Sequence, residues 1–185
     1  MAISITVITT ANRARRFMQT DAACIEPILE SLKRSSQIFS GKPLIIASAG
    51  HTEVFSPGSI ACLEVEASRD LSDYLPSFLN LTLTALSPEQ LAAPFAGGAG
   101  GEQVKARIDF FFAGGHVLYT HAEGVREAAL AERLMNLTSL FERPAINYHL
   151  AGGGIGLMNP HALTRFVITP GVPDLPRDAW VADLA

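Results

Sequence analysis

Two stretches of the sequence follow one pattern and decide the fold: residues 56–66, SPGSIACLEVE, and residues 159–169, NPHALTRFVIT. Each begins with a polar residue and a proline, a combination that predicts a turn. Three apolar residues then stand in matching places: Ile60, Leu63 and Val65 in the first stretch, and Leu163, Phe166 and Ile168 in the second. Because β-branched and aromatic residues favour strands, the pattern predicts that one turn-and-strand segment occurs twice.

The similarity continues on the N-terminal side of both stretches. The paired positions are Phe17 with Tyr119, Asp21 with Glu123, Leu32 with Leu134, Phe39 with Phe141, and Pro43 with Pro144. The offset between partners stays between 101 and 103, and single-residue changes in loop length account for its drift. We therefore predict an internal duplication. The alternative is that two unrelated α+β segments align by chance.

Each half is predicted to contain a hairpin, a helix and three more strands, in the order ββαβββ. The first helix is expected to begin near Thr20 or Asp21 and to end near Ser36, with Pro27 either kinking it or moving its start toward Cys24. The second helix is expected to begin at Glu123. The predicted fold class is α+β: two similar halves with antiparallel sheets, related by a pseudo-twofold axis, with one helix packed on each sheet. Each sheet would leave a bare face or edge for the other half.

Four segments follow from this division of the chain. The first repeat covers residues 1–68, and a partly helical, glycine-rich connector covers residues 69–102. The second repeat covers residues 103–169, and a tail with several prolines and the only tryptophan covers residues 170–185. Within the connector, the sequence Ser87-Pro88-Glu89-Gln90 predicts a capped helix start.

Composition excludes several classes of protein. With 185 residues, 48% of them hydrophobic and 17% charged, the chain can form an ordinary core, and its 15 glycines and 11 prolines exclude a coiled coil. The net charge of −4 gives no general attraction to nucleic acid. Two cysteines are too few for a disulfide scaffold. The sequence shows no signal peptide and no membrane-spanning stretch, so we expect a cytoplasmic protein without membrane contact.

No residue set predicts a definite catalytic site. The weak candidates are His121, His149 and Asp109. His149 can approach His121 if their strands are neighbours. Asp109 is partly buried if its strand is central, and the alternative is a solvated face. Because a metal needs three or more converging ligands, we predict no metal site, and no cofactor motif is present.

Candidate binding residues fall in three places. The cluster of Arg13, Arg15 and Arg16 is a potential phosphate contact, although salt bridges explain it better and nucleic acid is an unlikely partner. Gly153 and Gly154 lie in a glycine-rich turn that lacks the remainder of a phosphate-binding motif. Trp180 is expected to dock either on its own domain or on a partner.

These observations leave two functional hypotheses. The first is a binding or assembly module that engages a protein partner or a second copy of the chain. The second is a small-molecule binder or hydrolase-like enzyme with a site between the halves, formed by His121, His149 and either Arg13 or Arg165.

Overall fold

The computed structural model describes residues 1–48, 50–75, 81–95, 98–100, 103–125, 137–172, 175 and 177–182. The helices among these residues are α1 (Ala22–Leu32), α2 (Ser35–Ile38) and α3 (Pro88–Ala92). The strands are β1 (Ile3–Thr9), β2 (Ala14–Gln19), β3 (Leu44–Ala47), β4 (Thr52–Phe55), β5 (Ile60–Ala67), β6 (Leu81–Ala85), β7 (Gly98–Gly100), β8 (Gln103–Phe112), β9 (Val117–Val125), β10 (Ile146–His149), β11 (Ile155–Met158) and β12 (Leu163–Thr169).

One large mixed sheet dominates this α+β architecture. Its strand order is β12-β8-β9-β6-β10-β11-β5-β1-β2, and the short strand β7 pairs with β8 beside this path. All pairings are antiparallel except that of β6 with β10. Strands β3 and β4 form a separate two-stranded sheet. No helix within the described ranges is long and apolar enough to cross a membrane.

Helix α1 covers one face of the first half. It begins at Ala22, and the carboxylate of Asp21 accepts a hydrogen bond from the Ala23 amide at 2.9 Å, as the sequence predicts for an N-cap. Its buried residues Ile25, Leu29 and Leu32 pack with apolar residues of β1 and β5 in one core. Of the two alternatives for Pro27, the later start near Cys24 is wrong, because the helix begins at Ala22 and Pro27 lies inside it. Cys24 is exposed in the first turn.

The second half departs from prediction where its helix was expected to begin. Glu123 lies inside β9, opposite Lys105 of β8 and Thr82 of β6, so it does not open a helix. The remainder of the predicted second helix falls largely on residues 126–136, which lie outside the described residues. Strand β6 was not predicted, and it extends β9 by offering a second pairing partner to residues 120–124.

Pairing registers in the two halves coincide when 103 is added to each residue number. Thr9 pairs with Ile60 and Phe112 pairs with Leu163; Val7 pairs with Leu63 and Phe110 pairs with Phe166. The ladder is irregular at the same place in both halves, immediately beyond the Thr9 pair and beyond the Phe112 pair. The hairpins also agree, since Ile8 lies opposite Ala14 and Phe111 opposite Val117.

Strand β11 joins the halves by pairing with β5. Ile155 lies opposite Val65, and Leu157 lies opposite Leu63. Ile155 and Leu157 therefore belong to the core beneath α1, although they come from the second half of the chain. In return, Ile8 and Cys62 of the first half lie in the second core with Phe110 and Tyr148. Each core is thus completed by residues of the other half.

Candidate functional site

The two histidines singled out in the sequence share one face of the sheet without adjoining. His121 of β9 and His149 of β10 both lie opposite Thr84 of the intervening strand β6. Because neighbouring strands are about 4.8 Å apart, the two backbones are separated by roughly 10 Å at this point. The two strands are not neighbours, so the condition under which His149 would approach His121 is not met. Arg107 of β8 extends the same register row on the other side of His121.

The neighbours of His121 are aromatic and acidic. The ring of Phe95 meets the imidazole edge-on with centroids 5.5 Å apart, and Nδ1 lies 3.8 Å from a Glu123 carboxylate oxygen. Glu123 itself is held by Lys105 at 3.0 Å, an ion pair that lowers its pKa mainly through this hydrogen bond. The charged groups beside His121 are therefore paired with each other, whereas Nε2 of His121 is buried and has no hydrogen-bond partner within the described part of the chain.

Asp109 is held by a neighbour on its own strand. Its two carboxylate oxygens accept hydrogen bonds from Arg107 at 2.7 and 3.1 Å. The Arg107 guanidinium also lies 5.2 Å from the centre of the Tyr119 ring. Both side chains of the ion pair are largely covered, so the solvated face favoured from the sequence does not describe this position. The geometry gives Asp109 a structural ion pair.

The basic cluster after β1 is largely engaged by carboxylates. Arg15 pairs with Glu53 of β4, with Nε to oxygen at 3.0 Å. Arg16 donates to Ser4 at 2.7 Å and to Glu66 at 3.2 Å. Arg13 lies in the turn, where its amide donates to the Thr9 hydroxyl at 3.3 Å. Two of the three arginines therefore fasten β2 to neighbouring strands, which leaves little charge for a nucleic acid.

The glycine-rich turn between β10 and β11 packs against the backbone of β5. Gly153 and Gly154 both have positive φ angles, of 87° and 101°. A Cβ on Gly154 would lie 2.6 Å from the Val65 carbonyl oxygen. These two glycines are thus explained by turn geometry and close packing, without a ligand.

A buried polar cluster lies at the junction of the halves and was not singled out in the sequence. The Tyr148 hydroxyl donates to a Glu64 carboxylate oxygen at 2.8 Å. Burial raises the pKa of Glu64, and it also raises the pKa of the Tyr148 hydroxyl and of the Cys62 thiol. A buried thiol with a raised pKa is a poor nucleophile, so Cys62 is a structural residue.

Several strands are paired on one side only among the described residues, and two of them, β4 and β12, differ in this from their counterparts in the other half. Strand β4 pairs only with β3, and β12 pairs only with β8. Their counterparts in the other half, β11 and β5, are bonded to each other. An exposed strand edge carries unsatisfied amides and carbonyls and is a ready site for adding another strand.

Exposed apolar side chains accompany these edges. Val54 of β4 is 62% exposed, and it faces Ile45 of β3, which is exposed to the same extent. Val167 of β12 is also exposed. By contrast Leu157, which stands 103 residues after Val54, is only 1% exposed because β5 covers it. Comparing the two halves of the sequence could have revealed this shared apolar position, but not its exposure.

Trp180 in the tail is 98% exposed and so does not dock on its own domain.

Within the parts of the chain that the structure describes, no group of three or more histidine, cysteine, aspartate or glutamate side chains is placed to hold a metal ion. Comparison of the chain with protein-family models, with characterised proteins and with solved structures gives no match.

Proposed function

We propose that this protein is an assembly module, formed from two copies of one half-size unit, that self-associates through its strand edges. The observation that carries the proposal is the common register of the two halves. One offset of 103 relates the β1–β5 ladder to the β8–β12 ladder, including the irregularity in each. Unrelated segments have no physical reason to share a bulge position, because bulges depend on local sequence and pairing.

Turn contacts support the same relation. The amide of Thr10 donates to the Ser59 carbonyl at 2.8 Å, and the amide of Ala113 donates to the Ala162 carbonyl at 2.9 Å. Adding 103 to both members of the first pair gives the second pair. A duplicated unit accounts for both bonds, because each lies at the same place within its own half.

The unequal environment of the two copies is what favours assembly. The second copy offers β11 to the first and satisfies the edge of β5, whereas no described strand does the same for β12. Val54 of β4 and its cross-strand neighbour Ile45 of β3 are both exposed and apolar, which favours association at this edge. Self-association or a protein partner would supply a pairing strand for the open edge of β12.

Size-exclusion chromatography with light scattering tests this proposal on the full chain. We expect a mass that is a multiple of 19.7 kDa. Val54→Lys should lower the mass toward one chain by placing a charge on the exposed edge, and Met18→Lys is the matched control, because Met18 is 63% exposed on a different edge strand. A mass of one chain at every concentration would overturn self-association.

A second candidate function is binding of a small polar molecule to the register row of Arg107, His121, Thr84 and His149. The observation favouring it is that these side chains share one face across four adjacent strands. Inorganic phosphate and a short dicarboxylate are suitable probes. Saturable shifts in the amide resonances of Thr84 and His149 would support this function, and unchanged resonances would exclude it for those ligands.

A further inference from the structure

We infer that the partner of β12 is β4 of a second copy of this chain, paired in the register that β11 adopts on β5. The inference rests on the proposed function and gives it a definite occupant and register. The observed pairing matches Ile155 with Val65, Gly156 with Glu64, Leu157 with Leu63 and Met158 with Cys62. Subtracting 103 from each β11 residue and adding 103 to each β5 residue gives Thr52 with Ile168, Glu53 with Val167, Val54 with Phe166 and Phe55 with Arg165.

The pairing must link different copies. Strand β12 is one end of the sheet, and β2 is the other end. Strand β4 is held near the β2 end, because Glu53 pairs with Arg15 and the rings of Phe17 and Phe55 meet edge-on at 6.2 Å. In this arrangement β4 is bonded only to β3 and β12 only to β8, so a β4–β12 pairing takes its second strand from another copy.

The apolar side of the inferred pairing completes the second core. Phe166 and Ile168 are partly exposed and pack against that core, whereas Leu63 and Val65 at the equivalent places are buried. The difference arises because Leu157 and Ile155 cover Leu63 and Val65. Val54 of a second copy would cover Phe166 in the same manner, and its own 62% exposure would be removed.

Charge complementarity supports the other side of the pairing. Glu53 would lie opposite Val167 and diagonal to Arg165, a separation of about 7–8 Å that long side chains bridge. Arg165 is exposed and its guanidinium lies 3.7 Å from the centre of the Phe111 ring. Glu53 is already paired with Arg15 of its own copy, so Arg165 would join an existing ion pair, and no like charges are directly opposed in the four residue pairs.

The contact is head-to-tail, since each copy contributes β4 to one neighbour and β12 to another. Such heterologous contacts close into a ring when the rotation permits, or continue as a filament. Within one chain there is likewise a single such contact, in which β11 of the second half pairs with β5 of the first half. A ring of copies would therefore be a ring of half-units joined by one repeated strand contact.

Cysteine cross-linking of the full chain tests the register. The variant carries Glu53→Cys and Val167→Cys, with Cys24→Ala to remove the exposed native thiol; Cys62 is buried and is kept. Oxidation should give a ladder of disulfide-linked copies on a non-reducing gel. The control combines Glu53→Cys with Met18→Cys and should give no ladder, because β2 is not the inferred partner strand.

The outcomes separate this inference from the proposed function. The register is supported if the Glu53→Cys and Val167→Cys variant gives a ladder and the Met18→Cys control gives none. Oligomers by light scattering without a ladder would overturn the β4–β12 pairing and leave self-association standing. A mass of one chain for the unsubstituted protein would overturn both. Circular dichroism of each variant confirms that it is folded, and the native mass of each variant shows whether the cysteine substitutions themselves prevent assembly.

Discussion

At the scale of single residues, the ring of Tyr148 lies so close to position 156 that only glycine fits there. A Cβ at this position would lie 2.2 Å from the Tyr148 ring. We expect Gly156→Ala to reduce the free energy of unfolding by about 1–3 kcal/mol or more, because the ring must move within a packed core. Urea unfolding measures the loss. Gly152→Ala in the same hairpin is the control, since no atom lies within 4 Å of its Cβ, and equal losses for both variants would contradict the argument.

Glu64 should make stability depend on pH. Burial, the largest cause, raises its pKa in the folded chain, although the hydrogen bond from Tyr148 opposes the shift. The folded state therefore favours the protonated carboxyl, and this contribution is present below the unfolded pKa and is lost as pH rises through the folded pKa.

Glu64→Gln removes that titration and retains an oxygen for Tyr148. We expect the unfolding free energy of the unsubstituted protein to fall relative to that of the variant as pH rises through this window. Denaturant unfolding at a series of pH values measures the difference. A difference that does not change with pH would show that Glu64 does not titrate differently on folding.

Residue patterns predicted this region only in part. The apolar character of β5 and the glycines of the β10–β11 turn were evident, because local turn chemistry and strand propensity determine them. The Tyr148–Glu64 contact was not, because it joins residues 84 positions apart through strand pairing. A polar residue's partner depends on register, and a single sequence does not specify register between distant strands.

At the scale of the element, helix α1 depends on its first turn. The Asp21 carboxylate caps the Ala23 amide, and no other acidic residue lies in that turn. Asp21→Ala should lower the unfolding free energy by about 1 kcal/mol, whereas Asp21→Asn should retain most of the stability because an amide oxygen also caps. Thermal or urea unfolding of the two variants measures this, and equal stability of Asp21→Ala and Asp21→Asn would show that the cap contributes nothing.

Elements made of alternating β-branched residues were predicted well, and elements decided by distant partners were not. The turn-and-strand pattern of residues 56–66 and 159–169 predicted β5 and β12, which begin at Ile60 and Leu163. The sequence predicted a helix from Glu123, whereas β9 continues through this residue to Val125. Nothing in the sequence indicated β6, which pairs with β9 on its second side. Tertiary pairing overrode local preference there.

At the scale of the whole molecule, the tail tests whether assembly involves Trp180. Its side chain is 98% exposed, so Trp180→Ala should change the unfolding free energy of an isolated chain by no more than about 0.5 kcal/mol. Because the proposed contact uses β4 and β12, the variant should also keep the mass of the unsubstituted protein in light scattering. A fall in mass would assign the association to the tail instead.

The similarity between the two halves is the sequence feature that concerns the largest part of the fold. The duplication itself stays a prediction, and the sequence did not indicate that β3–β4 and β10–β11 differ in what they pair with. Strand β11 is bonded to β5, whereas β4 has no second partner among the described residues. Two hairpins of similar sequence thus differ in exposure because only one of them pairs with a strand of the other half.

Amide hydrogen exchange, resolved by residue in the full chain, tests the central claim most directly. If β4 and β12 pair between copies, their outward amides should exchange as slowly as those of β11 and β5, and the protection should be lost on dilution or in Val54→Lys. If the amides of β12 that do not face β8 exchange rapidly at all concentrations while β5 remains protected, the two edges are not partners and the account is wrong.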